Sequence, residues 1–317
     1  MKIRYLVITL IILSIISIFL GVSQVSILDI FSLTEDQRHI ILNSRLPRLL
    51  SIIIAGASMS VAGLIMQQLS QNKFVSPTTA GTLDSARLGI LVAIMVFTGA
   101  NPLQKMLVSF VFALLGTFVF MQILERIKFK DAIFIPLVGL VFGNIISSTS
   151  TFFAYKNDLI QNMTSWLQGD FSMIMTGNYE LMFVTVPILA VAYLYANQFT
   201  IAGMGEDFSK NLGLNYRQIV NTGLAIVALV TASVVLSVGV IPFLGLIIPN
   251  IVTIYQGDHL KNTLMHTALL GALFVLASDI IGRVIIYPYE IPISLTVGVI
   301  GSGVFIYLLL RRHKYGL

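Results

Sequence analysis

The 317-residue sequence contains no cysteine and very little charge. The absence of cysteine excludes a disulfide framework, a thiol nucleophile and any cysteine-ligated metal site. Only 10% of the residues are charged, whereas 56% are hydrophobic and the mean hydropathy is +0.92. Because so little charge cannot cover a soluble globule of this size, the composition predicts an all-α polytopic membrane protein.

Motifs for catalysis are also missing from the sequence. It has no G-x-x-x-x-G-K-[ST] phosphate loop, no H-E-x-x-H motif, no DDxxD-like carboxylate cluster and no Ser-Lys or Ser-His arrangement at membrane depth. The four histidines lie near the ends of apolar segments or in loops, and we do not expect them to bind a metal. We therefore expect no catalytic residue, metal or cofactor in this chain. Energy for uphill transport would come from another subunit or from an ion gradient.

What the sequence does contain is a series of apolar segments of roughly 16 to 22 residues, long enough to cross a hydrocarbon core of about 30 Å. The first has a basic start like a signal peptide, but it continues without a small-residue cleavage pattern, so we expect an uncleaved span. Pro242, Gly245 and Pro249 predict a kinked or broken eighth helix whose freed backbone groups face protein. The chain is thus predicted to form one transmembrane domain, residues 1–317, with ten helices at about 3–23, 49–69, 80–98, 105–124, 133–154, 180–196, 219–238, 240–255, 265–286 and 291–310.

The lysines and arginines orient these helices. An even number of spans places both termini on one side, and most of the cations fall on that side. By the positive-inside rule, we expect a multi-pass protein of the cytoplasmic membrane with both termini in the cytoplasm. Because the basic residues sit in short loops beside apolar segments, we do not expect nucleic acid as a partner.

Three longer connections remain between the predicted spans. Outside, residues 24–48 contain an amphipathic piece around Ile27–Leu42, and residues 155–179 contain NMTSWLQGDF, which predicts a short interfacial helix with Trp166 at headgroup depth. The longest internal loop, 197–218, contains a short helix over Glu206–Leu212 that Gly213 would end. A loop of this kind is suited to a cytoplasmic partner.

Ionisable residues inside spans are costly and therefore candidates for function. Asp84 and Arg87 lie three residues apart on one helix face, so they form either a mutually neutralising structural pair or part of a substrate path. Asp84 also leaves open a proton-coupled secondary transporter. Asp279 and Arg283, four residues apart, allow the same pairing near an outer helix end, where Arg283 would still present donors outward.

Two stretches in the first half of the chain carry short motifs. Arg45-Leu46-Pro47-Arg48, followed by Gly56-Ala57, Gly63 and Gln67, follows an R-x-P-R pattern at the start of a small-residue helix. Asn72-Lys73-Phe74-Val75-Ser76-Pro77 follows N-P-L-A-x-P, with Lys73 in place of the first proline.

Three further motifs lie in the second half of the chain. The stretch from Gly239 to Asn250 follows G-x-I-x-F-x-G-L-I-x-P-H with asparagine for the histidine, the stretch from Asp279 to Arg283 follows D-x-x-x-R, and Glu290-Ile291-Pro292-Ile293 opens like E-x-P-x-G. In order and spacing, over nearly the whole chain, the five motifs resemble the ten-helix permease subunits of ATP-driven importers for ferric siderophores, haem and vitamin B12.

The resemblance implies a type II ABC importer permease: a pore-forming subunit, not an enzyme, that works with two ATPase subunits binding ATP and Mg, an external binding protein and a second permease chain. It implies import of a ferric siderophore, with haem or a corrinoid as alternatives. It also implies four groups of site residues. These are binding-protein docking by Arg45, Arg48 and Arg283; ATPase coupling by Gly205, Glu206, Asp207, Phe208, Ser209, Lys210, Asn211, Leu212, Gly213 and Leu214; a translocation path along Gly139, Gly143, Asn144, Ser147 and Ser148, with Asp84 and Arg87 as further candidates; and a cytoplasmic gate at Lys130, Asp131, Ala132 and Ile133.

Alternatives and departures accompany this assignment. The three arginines could instead anchor their helices at the interface, and the coupling segment could be only a solvated loop. The pair Asp84 and Arg87 stands where the family is usually small and uncharged, and the last helix reads Gly301-Ser302-Gly303-Val304-Phe305 instead of G-x-P-x-F. Such asymmetric features are tolerable when a partner supplies the complement, so a heterodimer with a related permease is favoured over a homodimer.

Overall fold

The computed structural model describes residues 2–21, 34–97, 99, 101–127, 134–177 and 179–315, without the side chains of 165–167, 309 and 311–315. These residues form helices joined by short connections, with one isolated β-bridge between Gln168 and Val240. The α-helices are α1 (Ile3–Phe19), α2 (Glu35–Ile40), α3 (Leu46–Leu69), α4 (Thr82–Val96), α5 (Pro102–Arg126), α6 (Phe134–Lys156), α7 (Ile160–Leu167), α8 (Thr185–Leu194), α9 (Ala196–Ala202), α10 (Glu206–Asn211), α11 (Tyr216–Val238), α12 (Leu244–Gln256), α13 (Leu260–Val284) and α14 (Ile293–Tyr315).

Each of the ten predicted spans coincides with a helix, so the all-α fold is confirmed. In the described part of the chain, five continuous helices are long and apolar enough to cross a membrane, and the bent segment 180–202 makes a sixth. The α1 and α12 helices and residues 293–308 of α14 are apolar but shorter. The α12 helix is short because residues 239–243, which lead into it, are not helical.

The α3 helix lies at the centre of the bundle and packs against α11, α12 and α13. Its small residues permit these contacts. A Cβ atom added to Gly56 would lie 2.7 Å from the Gly271 carbonyl oxygen of α13, and one added to Gly63 would overlap the Gly245 carbonyl group of α12. Small residues on this helix therefore let the neighbouring backbones approach it closely.

The α12 helix carries Pro249 in its interior, as predicted for a broken eighth helix. Proline has no N–H, so the carbonyl group of Gly245, four residues earlier, loses its helical donor. Gln67 of α3 faces this carbonyl, and its Nε2 lies 3.4 Å from the Gly245 oxygen and 3.2 Å from the Leu246 oxygen. The freed backbone group thus faces protein, as expected.

The start of α3 has a similar arrangement. A π-helical turn, Ile41–Arg45, joins α2 to α3, and Pro47 follows in the first turn of α3. In an α-helix, the missing N–H of Pro47 would leave the Asn43 carbonyl without a donor. The backbone N–H of Thr176, from the 155–179 connection, donates to that carbonyl at 3.1 Å.

The structure corrects two loop boundaries. Residues 35–45 of the predicted outer loop 24–48 are helical and continue into α3. Residues 197–202 of the predicted inner loop 197–218 belong to α9, which is bent by 62° from the segment before it. The short helix predicted within 155–179 is present as α7. Residues 22–33, the Trp166 side chain and the gate residues Lys130, Asp131, Ala132 and Ile133 lie outside the described residues.

Candidate functional site

Two of the three predicted docking arginines share one carboxylate. Asp279 of α13 accepts a hydrogen bond from Arg48 at 2.7 Å through Oδ1 and one from Arg283 at 2.5 Å through Oδ2. Arg48 also donates to Glu290 at 2.7 Å, in the segment between α13 and α14. Arg45, Arg48, Asp279, Arg283 and Glu290 are named the arginine cluster below.

The arginine cluster also holds the end of α1. The last carbonyl groups of a helix have no partner within it and favour cations. Arg45 donates to the Ile18 carbonyl at 2.7 Å, and Arg283 donates to the carbonyl groups of Ser17 and Leu20 at 3.0 and 3.2 Å. The sequence patterns did not identify α1 as a partner of these arginines, although every helix end needs such donors.

Burial divides the arginine cluster into an inner and an outer part. The side chains of Asp279 and Arg283 are only 4% and 5% exposed, whereas those of Arg48 and Glu290 are 14% and 30% exposed. The donors of Arg283 point to α1 and Asp279, so the expectation that Arg283 presents donors outward is wrong. The Arg48–Glu290 pair is therefore the more exposed edge of the cluster.

The predicted coupling segment forms a protruding short helix. The α10 helix spans Glu206–Asn211, and Leu212 and Gly213 follow, with Gly213 at a positive φ of 74°, so the predicted helix and its glycine stop are confirmed. Its apolar side chains Phe208 and Leu212 are 46% and 55% exposed. Exposed apolar side chains on a short helix are typical of a surface that a protein partner covers.

Polar contacts fix α10 to the bundle. Ser209 is buried and donates to the carbonyl groups of Gly205 at 2.8 Å and Ile201 at 3.3 Å. Glu206 and Lys210 form an exposed ion pair at 2.8 Å, and the hydrogen bond from Lys210 lowers the pKa of the Glu206 carboxyl group. Because the Ser209 bonds tie α10 to the end of α9, a force on α10 reaches the bent segment 180–202.

The predicted path residues lie on two faces of α6. Gly139 and Gly143 are buried, and their positions allow close approach of the Thr79 carbonyl group and the Asp84 carboxylate. Asn144 and Ser148, one turn apart, are exposed, and Ser147 is half-buried. Hydrocarbon disfavours an exposed amide at membrane depth, so this face is suited to an aqueous conduit or to another protein chain.

Asp84 and Arg87 pair as predicted, with 3.4 Å between Oδ1 and Nη1. The pair places Asp84 against α6 and Arg87 on the side of α4 that faces α5 and α11. Within the described residues, no three histidine, aspartate or glutamate side chains come together as a metal-binding group.

The chain is similar to known proteins over nearly its whole length. The FecCD transport family matches residues 9–311. The chain is 64% identical over 315 residues to the petrobactin import system permease protein YclN of Bacillus subtilis, covering 99% of this chain and 100% of the relative. It is 40% identical over 300 residues to the ferric-anguibactin transport system permease protein FatD of Vibrio anguillarum, covering 94% and 95% of the two chains.

A solved structure shows the same fold. The chain superposes on a metal-chelate type ABC transporter in an inward-facing conformation with a TM-score of 0.82, covering 98% of both chains at 24% identity. The family match spans nearly the whole sequence, from α1 into α14. The chain therefore belongs to the FecCD transport family.

Proposed function

We propose that this chain is the permease subunit of an ABC importer that carries a ferric siderophore, of the kind represented by petrobactin, across the cytoplasmic membrane. The observation that carries this proposal is the 64% identity, over 99% of the chain, to a petrobactin import permease. The 40% identity to a ferric-anguibactin permease supports a siderophore as the substrate class. Iron would arrive already chelated, so no metal ligand is needed from this chain.

ATP hydrolysis belongs to a separate subunit in this proposal. The exposed Phe208 and Leu212 of α10, held by the buried Ser209, support a contact with that ATPase, which would bind ATP and Mg. Both termini and α10 would then lie in the cytoplasm, in agreement with the distribution of lysine and arginine.

At the opposite face, the arginine cluster is the proposed docking site for an external binding protein. Arg48 is the member that contacts the binding protein directly, since it lies at the exposed edge. Arg45 and Arg283 contribute positive charge while they hold α1. Guanidinium groups at such an interface favour rapid encounter and a fixed register with acidic side chains.

A second permease chain would complete the conduit. The exposed polar side chains Asn144 and Ser148 of α6 support this, because neither has a suitable environment against lipid. We favour a related but different chain as this partner, since Asp84 and Arg87 are features that a complementary chain can balance.

Reconstituted transport tests the proposed function. The chain, with its second permease, its ATPase and its binding protein, is placed in sealed vesicles, and uptake of iron-loaded petrobactin is followed with radiolabelled iron. We expect uptake that requires both internal ATP and the binding protein and that survives collapse of the proton gradient. An uptake that follows the proton gradient and ignores ATP would contradict the proposal and favour a porter based on Asp84.

Competition distinguishes the substrate classes within the same vesicles. Excess unlabelled ferric petrobactin should abolish uptake of the label, whereas excess haem or vitamin B12 should leave it unchanged. If haem or the corrinoid is taken up in preference to the siderophore, the chain is still an ABC importer permease, but the proposed siderophore substrate is wrong.

A further inference from the structure

A cavity of about 380 Å³ lies beside Arg87, between α4, α5, α7 and the outer end of α11. Its volume falls within the range of about 300–1,000 Å³ that is usual for small-molecule sites. Apolar side chains form most of its wall, among them Ile90, Ile94, Met173 and Leu236. The cavity therefore suits a molecule with a substantial apolar part.

Two cations and Ser237 line this largely apolar space. Arg87 comes from the middle of α4, and Lys105 comes from the first turn of α5. No carboxylate occurs among the described residues that line the cavity. A guanidinium group in a largely apolar cavity favours an anionic ligand.

The hydrogen bonds of Arg87 leave capacity for such a ligand. A guanidinium group has five N–H donors, but the described contacts of Arg87 are limited to Asp84 at 3.4 Å, and its buried Nε has no hydrogen-bond partner in the described part of the chain. The side chain is 19% exposed. An oxyanion in the cavity would supply the short, paired hydrogen bonds that Asp84 does not.

We propose that this cavity is an anion-binding site in which Arg87 binds a carboxylate or phosphate group carried on an apolar body, with Lys105 as a second cation. The same chemistry has two sources, an anionic phospholipid of the membrane or an organic carboxylate from outside. The proposed anion site does not depend on which substrate the chain transports.

The assembled transporter in lipid nanodiscs tests the proposal, with the thermal unfolding midpoint as the readout. In one arm, phosphatidylglycerol replaces part of the phosphatidylcholine; in the other, benzoate is added to discs of phosphatidylcholine alone, with benzamide as its neutral counterpart. We expect at least one anion to raise Tm by about 2–4 °C, because a ligand that binds only the folded state stabilises it. A shift with phosphatidylglycerol identifies a lipid source, and a shift with benzoate but not benzamide identifies a solute.

Variants assign the effect to Arg87. The double variant Asp84→Asn/Arg87→Gln removes both charges of the pair without leaving either alone, and it should lose the shift. Asp84→Asn alone removes the carboxylate that competes for Arg87, so it should bind the anion severalfold more tightly. Lys156→Gln removes an exposed cation outside the cavity and should behave as the wild type.

Three results would overturn the proposal. They are the absence of a shift in both arms of the wild-type experiment, a shift that persists in the double variant, and an equal loss of the shift in Lys156→Gln. The first two results would mean that the cavity binds no anion through Arg87. The third would mean that the shift in Tm reflects general surface charge.

Discussion

At the scale of single residues, Asp279 is the centre of the arginine cluster. It is almost fully buried and accepts from two guanidinium groups, one on its own helix and one on α3. It therefore links α3 and α13 while Arg283 links α13 to α1. Anchoring of α1 and the proposed docking role are compatible, because Arg45 and Arg283 hold α1 whereas Arg48 lies at the more exposed edge of the cluster.

The substitution Asp279→Asn tests the structural part of this arrangement. It leaves Arg48 and Arg283 close together without their shared carboxylate, and breaking a buried pair in this way costs about 3–5 kcal/mol. We expect a clear loss of thermal stability in detergent, measured as unfolding against temperature. Asp158→Asn is the matched control, since Asp158 is exposed and asparagine tolerates its positive φ of 57°. Equal stability of the two variants would show that Asp279 does not hold the cluster.

Glu290 occupies the position that a docking carboxylate would take. It is the more exposed partner of Arg48, so we predict that Glu290→Gln strengthens association of the binding protein by roughly three- to tenfold in a direct binding assay. Arg48→Gln should weaken the same association and leave the fold intact, since Arg45 and Arg283 still hold α1. Unchanged binding in both variants would remove Arg48 from the docking surface.

At the scale of secondary-structure elements, Pro249 and Gln67 form a coupled pair. Gln67→Leu would leave the Gly245 carbonyl without a donor and should cost about 1–3 kcal/mol of stability. Pro249→Ala restores the helical N–H to that carbonyl, so the same Gln67→Leu change should cost much less in the Pro249→Ala background. Additive losses in a double-mutant cycle would show that Gln67 does not compensate for the proline.

The contact between α3 and α12 depends on the absence of side chains at Gly63 and Gly245. Gly63→Ala would force a Cβ into the Gly245 backbone, and we expect it to lower the thermal stability by several degrees. Gly303→Ala on α14 is the control, because a Cβ at Gly303 meets no atom within 4 Å. A Gly63→Ala variant as stable as Gly303→Ala would mean that α3 and α12 separate without cost.

At the scale of the whole molecule, the two proposed partner surfaces lie at opposite ends of the bundle. The α3 helix connects them, since it begins at the arginine cluster and ends beside α9, where Gln68 donates to the Thr200 carbonyl at 3.4 Å. The α10 helix follows α9 directly. The two proposed partner surfaces thus belong to one continuous set of packed helices.

The exposed apolar side chains of α10 give the prediction at this scale. Phe208→Ser and Leu212→Ser should sharply reduce co-purification of the ATPase subunit, because each removes a contact of the proposed interface, while thermal stability stays unchanged. Lys261→Ser, in the first turn of α13 and outside the coupling segment, is the control and should retain the ATPase. Full retention of the ATPase by both apolar variants would mean that α10 is a solvated segment that does not contact the ATPase.

The sequence by itself determined the all-α class and the approximate positions of the ten spans. Composition and segment length suffice for these, because every backbone polar group in hydrocarbon must be satisfied within its own helix. It also determined α10, which ends before Gly213, and Gly213 adopts a positive φ as expected for a helix stop. The pairs Asp84–Arg87 and Asp279–Arg283 followed from helical spacing, since residues three or four apart share a face.

Only the tertiary structure decided which residues from distant parts of the chain meet. The Arg48 contacts with Asp279 and Glu290, the Arg283 contact with Ser17 and the Gln67 contact with Gly245 each join different elements. Local periodicity does not predict them, because helices such as α1 are apolar on all sides and their sequence does not specify which face meets which neighbour. Packing decides which helix faces meet. It brings small residues into close contact and supplies the hydrogen-bond donors that helix ends and prolines require.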